Sequence, residues 1–442
     1  MAAAVYLAVA LASFVCASVP TATLRTEYEP GHGKVRGELT VDGAVIPVKA
    51  KLRGRSSRAF PKKQFALKLL GGDGEKAPAA LLGLPENSDF ILYGPLLDST
   101  YLRDVVTFDM ARLSGRWAPR TAFVELGRAN GGSPVSYEGL YVVKETIEKS
   151  SAKVWLGDGG AIYELSSRQS DAAWRAWLES QGLSDGKYGK DEAVFAVGQT
   201  NVYVDQYPKS DPPGATEHHR RLFDRLDSII KPGWCRHPAG SLSAWWRPGL
   251  SEPCLDLREV AALVDLPSLI DYVLLQELLA NPDAFVTSVF AHRRTADGPL
   301  VFGPAWDFNL AGGLGIGEDE RAVDSWRLEG EEPARFSRLV QWLQVLWGDE
   351  GFRGAARSRW RELRRGAWSD AALAGVVQGH AGRIRGGAVA RNQARWDPHT
   401  EWNRAIGLGG IFVRPYLGSW EAEVSALERF LVSRAAWMDE NV

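Results

Sequence analysis

Three features of the 442-residue chain predict an α+β fold. Short alternating segments separated by Asp-Gly and Asn-Gly-Gly turns fill its first third. Long amphipathic periods fill its last hundred residues, and an apolar helical run leads into a strand pair between them. Strands with one inserted helix, then a mostly helical remainder, give an antiparallel-sheet N-terminal lobe over 18–148 and a mainly helical C-terminal lobe over 149–442.

The N-terminal elements follow in order. Thr21–Val48 reads as strands, with Glu38–Val41 and Ala44–Val48 joined by a hairpin turn at Asp42-Gly43. Lys49–Arg53 continues that ribbon into the loop Arg53-Gly54-Arg55-Ser56-Ser57-Arg58. Phe60–Leu69 alternates, placing Phe65, Leu67 and Leu69 on one face and Gln64, Ala66 and Lys68 on the other. A Gly/Ser/Arg loop between antiparallel strands offers backbone N–H groups and guanidinium to phosphates, though the same residues also suit a solvated basic tip. Asp98–Leu113 is an amphipathic helix with Asp98 or Ser99 as its cap and Leu102, Val105, Val106, Met110 and Leu113 as its stripe. Thr121–Leu126 and Leu140–Lys144 form a further hairpin around Asn130-Gly131-Gly132 and end in Glu145.

Ser150–Pro253 is irregular, with a strand at Ala161–Leu165 and helices near Ala172–Ser180 and at Thr216–Ile230. His218 and His219 are sequence neighbours and point to different helix faces, which disfavours a shared metal. Leu257–Leu279 makes one or two apolar helices, with Pro267 starting the second. Helices then cover Phe336–Leu346, Phe352–Arg365, Ala371–Asn392 and Trp420–Met438.

Composition narrows the function classes. A net charge of −2 argues against a nucleic-acid partner, and no internal segment is long and apolar enough to span a membrane. Residues 1–17 read as a signal peptide because Ala2–Cys16 is apolar and small residues follow. The run lacks a positive start, so a buried first element is the alternative. Cys235 and Cys254 then remain as a disulfide pair, as free thiols, or with His237 as zinc ligands of unusual spacing.

The chemistry concentrates in Gln276–Gly313. A helix breaks at Asn281-Pro282-Asp283, a strand runs through Phe285–Arg293, and a turn at Asp297-Gly298 leads to Leu300–Phe302. Trp306-Asp307-Phe308-Asn309 follows, with a glycine-rich exit. Folding the hairpin at its turn brings its outer ends together, so Asp283 and Asp307 can share one cleft. Phosphoryl transfer needs such a pair: one carboxylate takes the proton of the attacking hydroxyl, another holds the metal. A turn residue and a cap would use the same side chains for structure alone.

Several segments, in order, resemble the spore-coat-protein-H (CotH) kinase family. They are KLRGRSSRAFPKKQFALKL at 51–69, LLDSTYLRDVVTFDMARL at 96–113, YEGLYVVKETIE at 137–148 and GGAIYEL at 159–165. YPKSDPP at 207–213, LIDYVLLQELLANPDAF at 269–285, FGPAWDFNLAGG at 302–313 and the closing helix at 419–438 complete the set. The resemblance implies an atypical protein-kinase-like fold. It also implies transfer of the ATP γ-phosphate to Ser/Thr of a secreted or surface protein, with magnesium or manganese as the metal. Asp283 would then be the catalytic carboxylate and Asp307 the metal ligand, with Asn309 beside it. Arg53, Ser56 and Ser57 would cover the phosphates, Lys63 or Lys68 would neutralise them, and Glu145 would lie near the adenine. The helix at 98–113 would take the place of the regulatory helix of ordinary kinases. Two departures stand out: Asn309 replaces the family's second acidic residue, and Ser288 stands where ordinary kinases carry a metal-binding Asn. Both weaken metal binding, so a nucleotide-binding pseudokinase or a non-catalytic surface or adhesive protein on the same scaffold is the alternative.

Overall fold

The computed structural model describes residues 18–31, 33–54, 56–167, 194–198, 200–205, 215–230, 255–315, 322–329, 337–407 and 413–442, with isolated positions between 176 and 180. The expected signal segment, Cys235, Cys254, most of the helix near Ala172–Ser180 and the 207–213 motif lie outside them.

The N-terminal part holds β1 (Thr21–Thr26), β2 (Val35–Val41), β3 (Ala44–Leu52), β4 (Phe65–Leu69), β5 (Ala79–Leu81), β6 (Leu84–Asn87), β7 (Asp89–Tyr93), α1 (Arg103–Leu113), β8 (Thr121–Asn130) and β9 (Ser136–Glu145). The strands alternate as the sequence requires, and Phe65, Leu67 and Leu69 are buried together with Leu24, Leu39, Val48, Phe90, Val124 and Val143. The expected antiparallel-sheet lobe is corrected in one respect. Seven strands close into a barrel in the order β1-β2-β3-β4-β7-β9-β8, and the closing pair, β1 with β8, is parallel. Closure removes the free edges that an open sheet would expose.

α1 begins later than expected. Asp98 does not cap it directly but folds a turn, its carboxylate accepting from the Thr100 N–H at 3.0 Å and the Arg103 N–H at 2.9 Å. Tyr101 takes a left-handed φ of 65°, which ends helical geometry there. Leu102, Val105, Val106, Phe108 and Met110 then enter the main core beneath the barrel.

The remainder contains β10 (Ala161–Ser167), β11 (Val194–Val197), β12 (Thr200–Asp205), α2 (Ala215–Ile229), α3 (Leu257–Leu263), α4 (Leu266–Leu279), β13 (Val289–Arg293) and β14 (Leu300–Phe302). After these come α5 (Arg338–Gly348), α6 (Glu350–Arg364), α7 (Asp370–Ile384), α8 (Gly387–Arg395), α9 (Pro398–Gly407) and α10 (Trp420–Asn441). This half is less purely helical than expected, because β11-β12-β10-β13-β14 form a five-stranded sheet. The apolar run at 257–279 is two helices, the second capped by Asp265, which accepts from the Ser268 N–H, with Pro267 in its first turn. The expected helix 371–392 divides at Gly386, whose φ of 94° suits glycine and not a helix interior.

Lys62 joins the barrel to the helices. It is 1% exposed, and its ammonium donates to Pro95 O (3.0 Å), Leu140 O (2.8 Å) and Asn392 Oδ1 on α8 (2.8 Å). Below, the fully buried pair Arg434–Glu277 (3.2 Å) ties α10 to α4. The Glu277 carboxylate also accepts from the N–H groups of Arg327 and Leu328, so its charge is compensated on several sides.

Candidate active site

The site is built around a lysine on an apolar strand. On β9, Tyr141 and Val143 face the barrel interior, whereas Leu140 and Val142 face α1 and the main core. Alternation puts Lys144 on the α1 side, where it is 2% exposed. Its Nζ donates to Asp104 Oδ2 at 2.7 Å, from the first turn of α1. The ammonium also lies 4.1 Å from the Tyr93 ring centroid and 4.8 Å from that of Trp306. The other oxygen of Asp104 accepts from the Phe308 N–H at 2.9 Å. One carboxylate thus fixes both the lysine and the Trp306–Asn309 loop.

Arg103, the preceding residue, holds the far side of the same loop. Its side chain is fully buried, donates to Ala311 O at 2.7 Å and pairs with Asp98 at 2.5 Å. Gly312 follows with φ 64°, and a Cβ there would stand 2.6 Å from the Leu427 side chain. The glycine-rich exit therefore has a packing cause.

Asp307 sits in this loop with φ 64°, and Ser288 Oγ–H donates to its Oδ2 at 3.1 Å. Seven non-glycine residues among those described have positive φ, and four of them, Ala280, Phe285, Ser288 and Asp307, lie in this one stretch. Ala280 ends α4 in the left-handed conformation that helices commonly use to stop, but the other three lie in two touching loops, where such strain fits a functional site. Burial and the nearby Asp104 carboxylate raise the Asp307 pKa, while Lys144, Arg53 and the Ser288 hydroxyl act in the opposite direction.

Arg53 enters from the loop after β3, with its guanidinium 5.6 Å from the Trp306 ring centroid. Burial lowers its pKa, and Asp307, Asp104 and Glu164 on β10 oppose that shift. Gly54 allows the loop to turn: its φ is 103°, and a Cβ would meet Ser57 Oγ at 1.9 Å. Two cations and three carboxylates therefore surround one crevice between the barrel and the five-stranded sheet.

An added divalent cation fits this charge pattern. A carboxyl held above its usual range by burial and a second carboxylate gains from a nearby positive charge. Among the described residues no group of three or more His, Cys, Asp or Glu side chains could hold a metal. A magnesium ion needs no such group, because it keeps waters and uses one or two carboxylates plus phosphate oxygens.

The sequence profile described as CotH kinase protein matches residues 50–226 and 257–438. The chain belongs to the CotH kinase family. No curated protein matches the sequence. The matched ranges include all the crevice residues named above.

Several of the residues expected from the CotH resemblance meet in the crevice. Arg53 and Asp307 do so directly. Asn309 lies one residue beyond Phe308 and hydrogen-bonds the Tyr93 hydroxyl. Asp283 starts the loop that carries Ser288, its carbonyl accepting from the N–H groups of Val286 (3.2 Å) and Thr287 (3.3 Å). Ser288 then links that loop to Asp307. Ser57 closes the turn under Gly54, and Ser56 opens the same short helical turn.

Three expected residues are engaged elsewhere. Lys68 pairs with Asp89 at 2.8 Å, Lys63 donates to Arg58 O at 2.7 Å, and buried Glu145 pairs with Arg120 at 2.8 Å. The lysine at the crevice is Lys144, with Asp104 and Glu164 as further acidic members. The sequence carried a signal for the pair: Lys144 directly follows the apolar run Leu140–Val143 on one strand, and Asp104 precedes Val105-Val106 at the start of α1.

Proposed function

We propose that this chain is a protein kinase that transfers the ATP γ-phosphate to a Ser or Thr hydroxyl of a partner protein. The observation that carries the proposal is the buried Lys144–Asp104 pair, hydrogen-bonded through Asp104 to the loop of Asp307. Protein kinases require a strand lysine paired with a helix acid, together with a metal-binding aspartate after a short strand. The same three roles fall here to Lys144, Asp104 and Asp307. That correspondence supports the kinase-like reading of a lobe that is itself a closed barrel.

Lys144 and Arg53 bind phosphate oxygens of the nucleotide, and the Gly54 turn covers them. Asp307 would hold magnesium, with Ser288 and Asn309 offering neutral oxygens. Held there, the metal would supply charge neutralisation to the nucleotide's phosphates. Asp283 orients the acceptor hydroxyl and takes its proton as the oxygen bonds to the γ-phosphorus, while the bond to the β-phosphate oxygen breaks and ADP departs. Incubating the full chain with γ-labelled ATP, magnesium and a mixed acceptor protein tests this. Label should enter the acceptor with wild type and be absent with Asp307→Ala.

A second reading has its own support. Asn309 carries no charge and is engaged by Tyr93, and Ser288 is a weaker ligand than Asn, so the crevice offers a metal only one carboxylate from this loop. A nucleotide-binding pseudokinase would give a thermal shift with ATP and magnesium but no label in any acceptor.

A further inference from the structure

A second cavity lies behind the strand pair, apart from the crevice. It has a volume of about 170 Å³, and neither Arg53, Lys144, Asp283 nor Asp307 lines it. Its walls come from the end of α1, one face of α4, β13, the segment Gly303–Ala305 and the loop Lys153–Trp155. Room for about five waters, at roughly 30 Å³ each, makes it large enough for a small organic molecule.

Its polar groups are unevenly satisfied. Asp271, the carboxylate on its wall, is consumed by Arg116 at 2.6 Å and Arg359 at 2.7 Å. Lys153 is taken by Glu148 at 2.6 Å. Arg294 is exposed and has no ion pair among the described residues. Trp117 also lines the cavity, and its indole N–H is buried without an acceptor. His292 Nδ1–H donates to Gly303 O at 3.2 Å, and burial keeps the ring neutral, with its pKa lowered to about 4. Trp155 is 53% exposed, an unusual state for so large an apolar side chain at a cavity wall.

An unpaired guanidinium, an unsatisfied indole donor and an open aromatic face together describe one kind of ligand. The geometry points to a binding site for a small aromatic anion, with its ring against Trp155 and its carboxylate or phosphate at Arg294. The cavity ends where the segment toward Trp306 and Asp307 begins, so the site adjoins the active crevice without sharing its residues.

Saturation-transfer NMR on the full chain tests this with benzoate, phenyl phosphate and, as a neutral analogue, benzyl alcohol, each at about 1 mM. Both anions should give signal, and benzyl alcohol should bind at least about fivefold more weakly. Arg294→Ala and Trp155→Ala, at exposed positions, should each weaken anion binding by at least about fivefold, while Arg53→Ala leaves it unchanged. The tighter of the two anions identifies the carboxylate or the phosphate as the natural group. Absence of signal, equal binding of the alcohol, or insensitivity to both cavity substitutions would overturn the proposal. Loss with Arg53→Ala in place of Arg294→Ala would put the ligand in the active crevice and overturn it equally. None of these arms uses ATP, so a failed kinase assay leaves their meaning intact.

Discussion

Lys62 and Lys144 are both almost fully buried, and both lie over tyrosine rings, yet their surroundings differ in kind. An ammonium has three N–H donors. Lys62 spends all three on two carbonyls and an amide oxygen, none of them charged. Burial accordingly pushes its pKa well below the usual lysine value. Among the described residues Lys144 makes one hydrogen bond, to a carboxylate, and its charge acts on Asp307, as does that of Arg53. A lysine with every donor satisfied by the protein is a joint between two parts of the fold. One held on a single side by a carboxylate keeps donors for something that arrives.

The largest effect should follow from breaking the second lysine. Lys144→Met is expected to cut phosphate transfer by at least about a hundredfold, a loss typical of removing one charged stabilising group. Because it strands buried Asp104, it should also cost about 3–5 kcal/mol of stability. Lys144→Met with Asp104→Asn, read by thermal denaturation and label transfer, should regain most of the stability and none of the activity. Activity returning with the double substitution would make Lys144 a joint like Lys62.

Lys62→Met reverses the pattern. It leaves neutral acceptors unsatisfied and should cost about 1–3 kcal/mol in a denaturant titration. The folded fraction should retain its rate of transfer within about twofold, since no atom of Lys62 reaches the crevice.

Acidic pH should separate the two halves of the site's chemistry. The Asp307 carboxyl must be ionised to hold a metal, and its pKa is raised by burial and Asp104. At subsaturating magnesium, activity should therefore decline on acidification at a pH above the ordinary carboxylate range. A pH–rate profile with its acidic limb in the ordinary range would weaken the placement of the metal on Asp307.

A smaller effect concerns His380, which holds α7 against α1 through Asp109 at 2.7 Å. Burial, then Arg383 and Arg112, lower its pKa to about 3. The ring takes up a proton far more readily in the unfolded chain, so stability is full above about pH 6.5 and falls as pH drops toward about 3. The loss of melting temperature between about pH 7.5 and pH 5 should be smaller in His380→Gln than in wild type, and an unchanged loss would remove His380 as its cause.

Much of this arrangement was legible along the chain. The alternation of Phe65, Leu67 and Leu69 marked a half-buried strand, and the break at Asn281-Pro282-Asp283 with the turn at Asp297-Gly298 marked the hairpin. What local pattern omits is the partner. Strand alternation told that Lys68 faces away from the barrel core but not that Asp89 waits there. The pairing of β1 with β8 joins segments about a hundred residues apart, and no turn chemistry announces it. Lys144 was legible as a charge on an apolar strand, yet its meaning depends on Asp104, forty residues earlier on a helix. Asn309 likewise stood out as a departure, but its bond to Tyr93 needed the barrel to bring β7 alongside.

A crystal structure of the full chain with magnesium and a non-hydrolysable ATP analogue tests the central claim most directly. Phosphate oxygens should lie within about 3 Å of Lys144 Nζ, with a metal on the Asp307 carboxylate. A triphosphate lodged instead against Lys63 or Lys68, with Lys144 still bound only to Asp104, would contradict it.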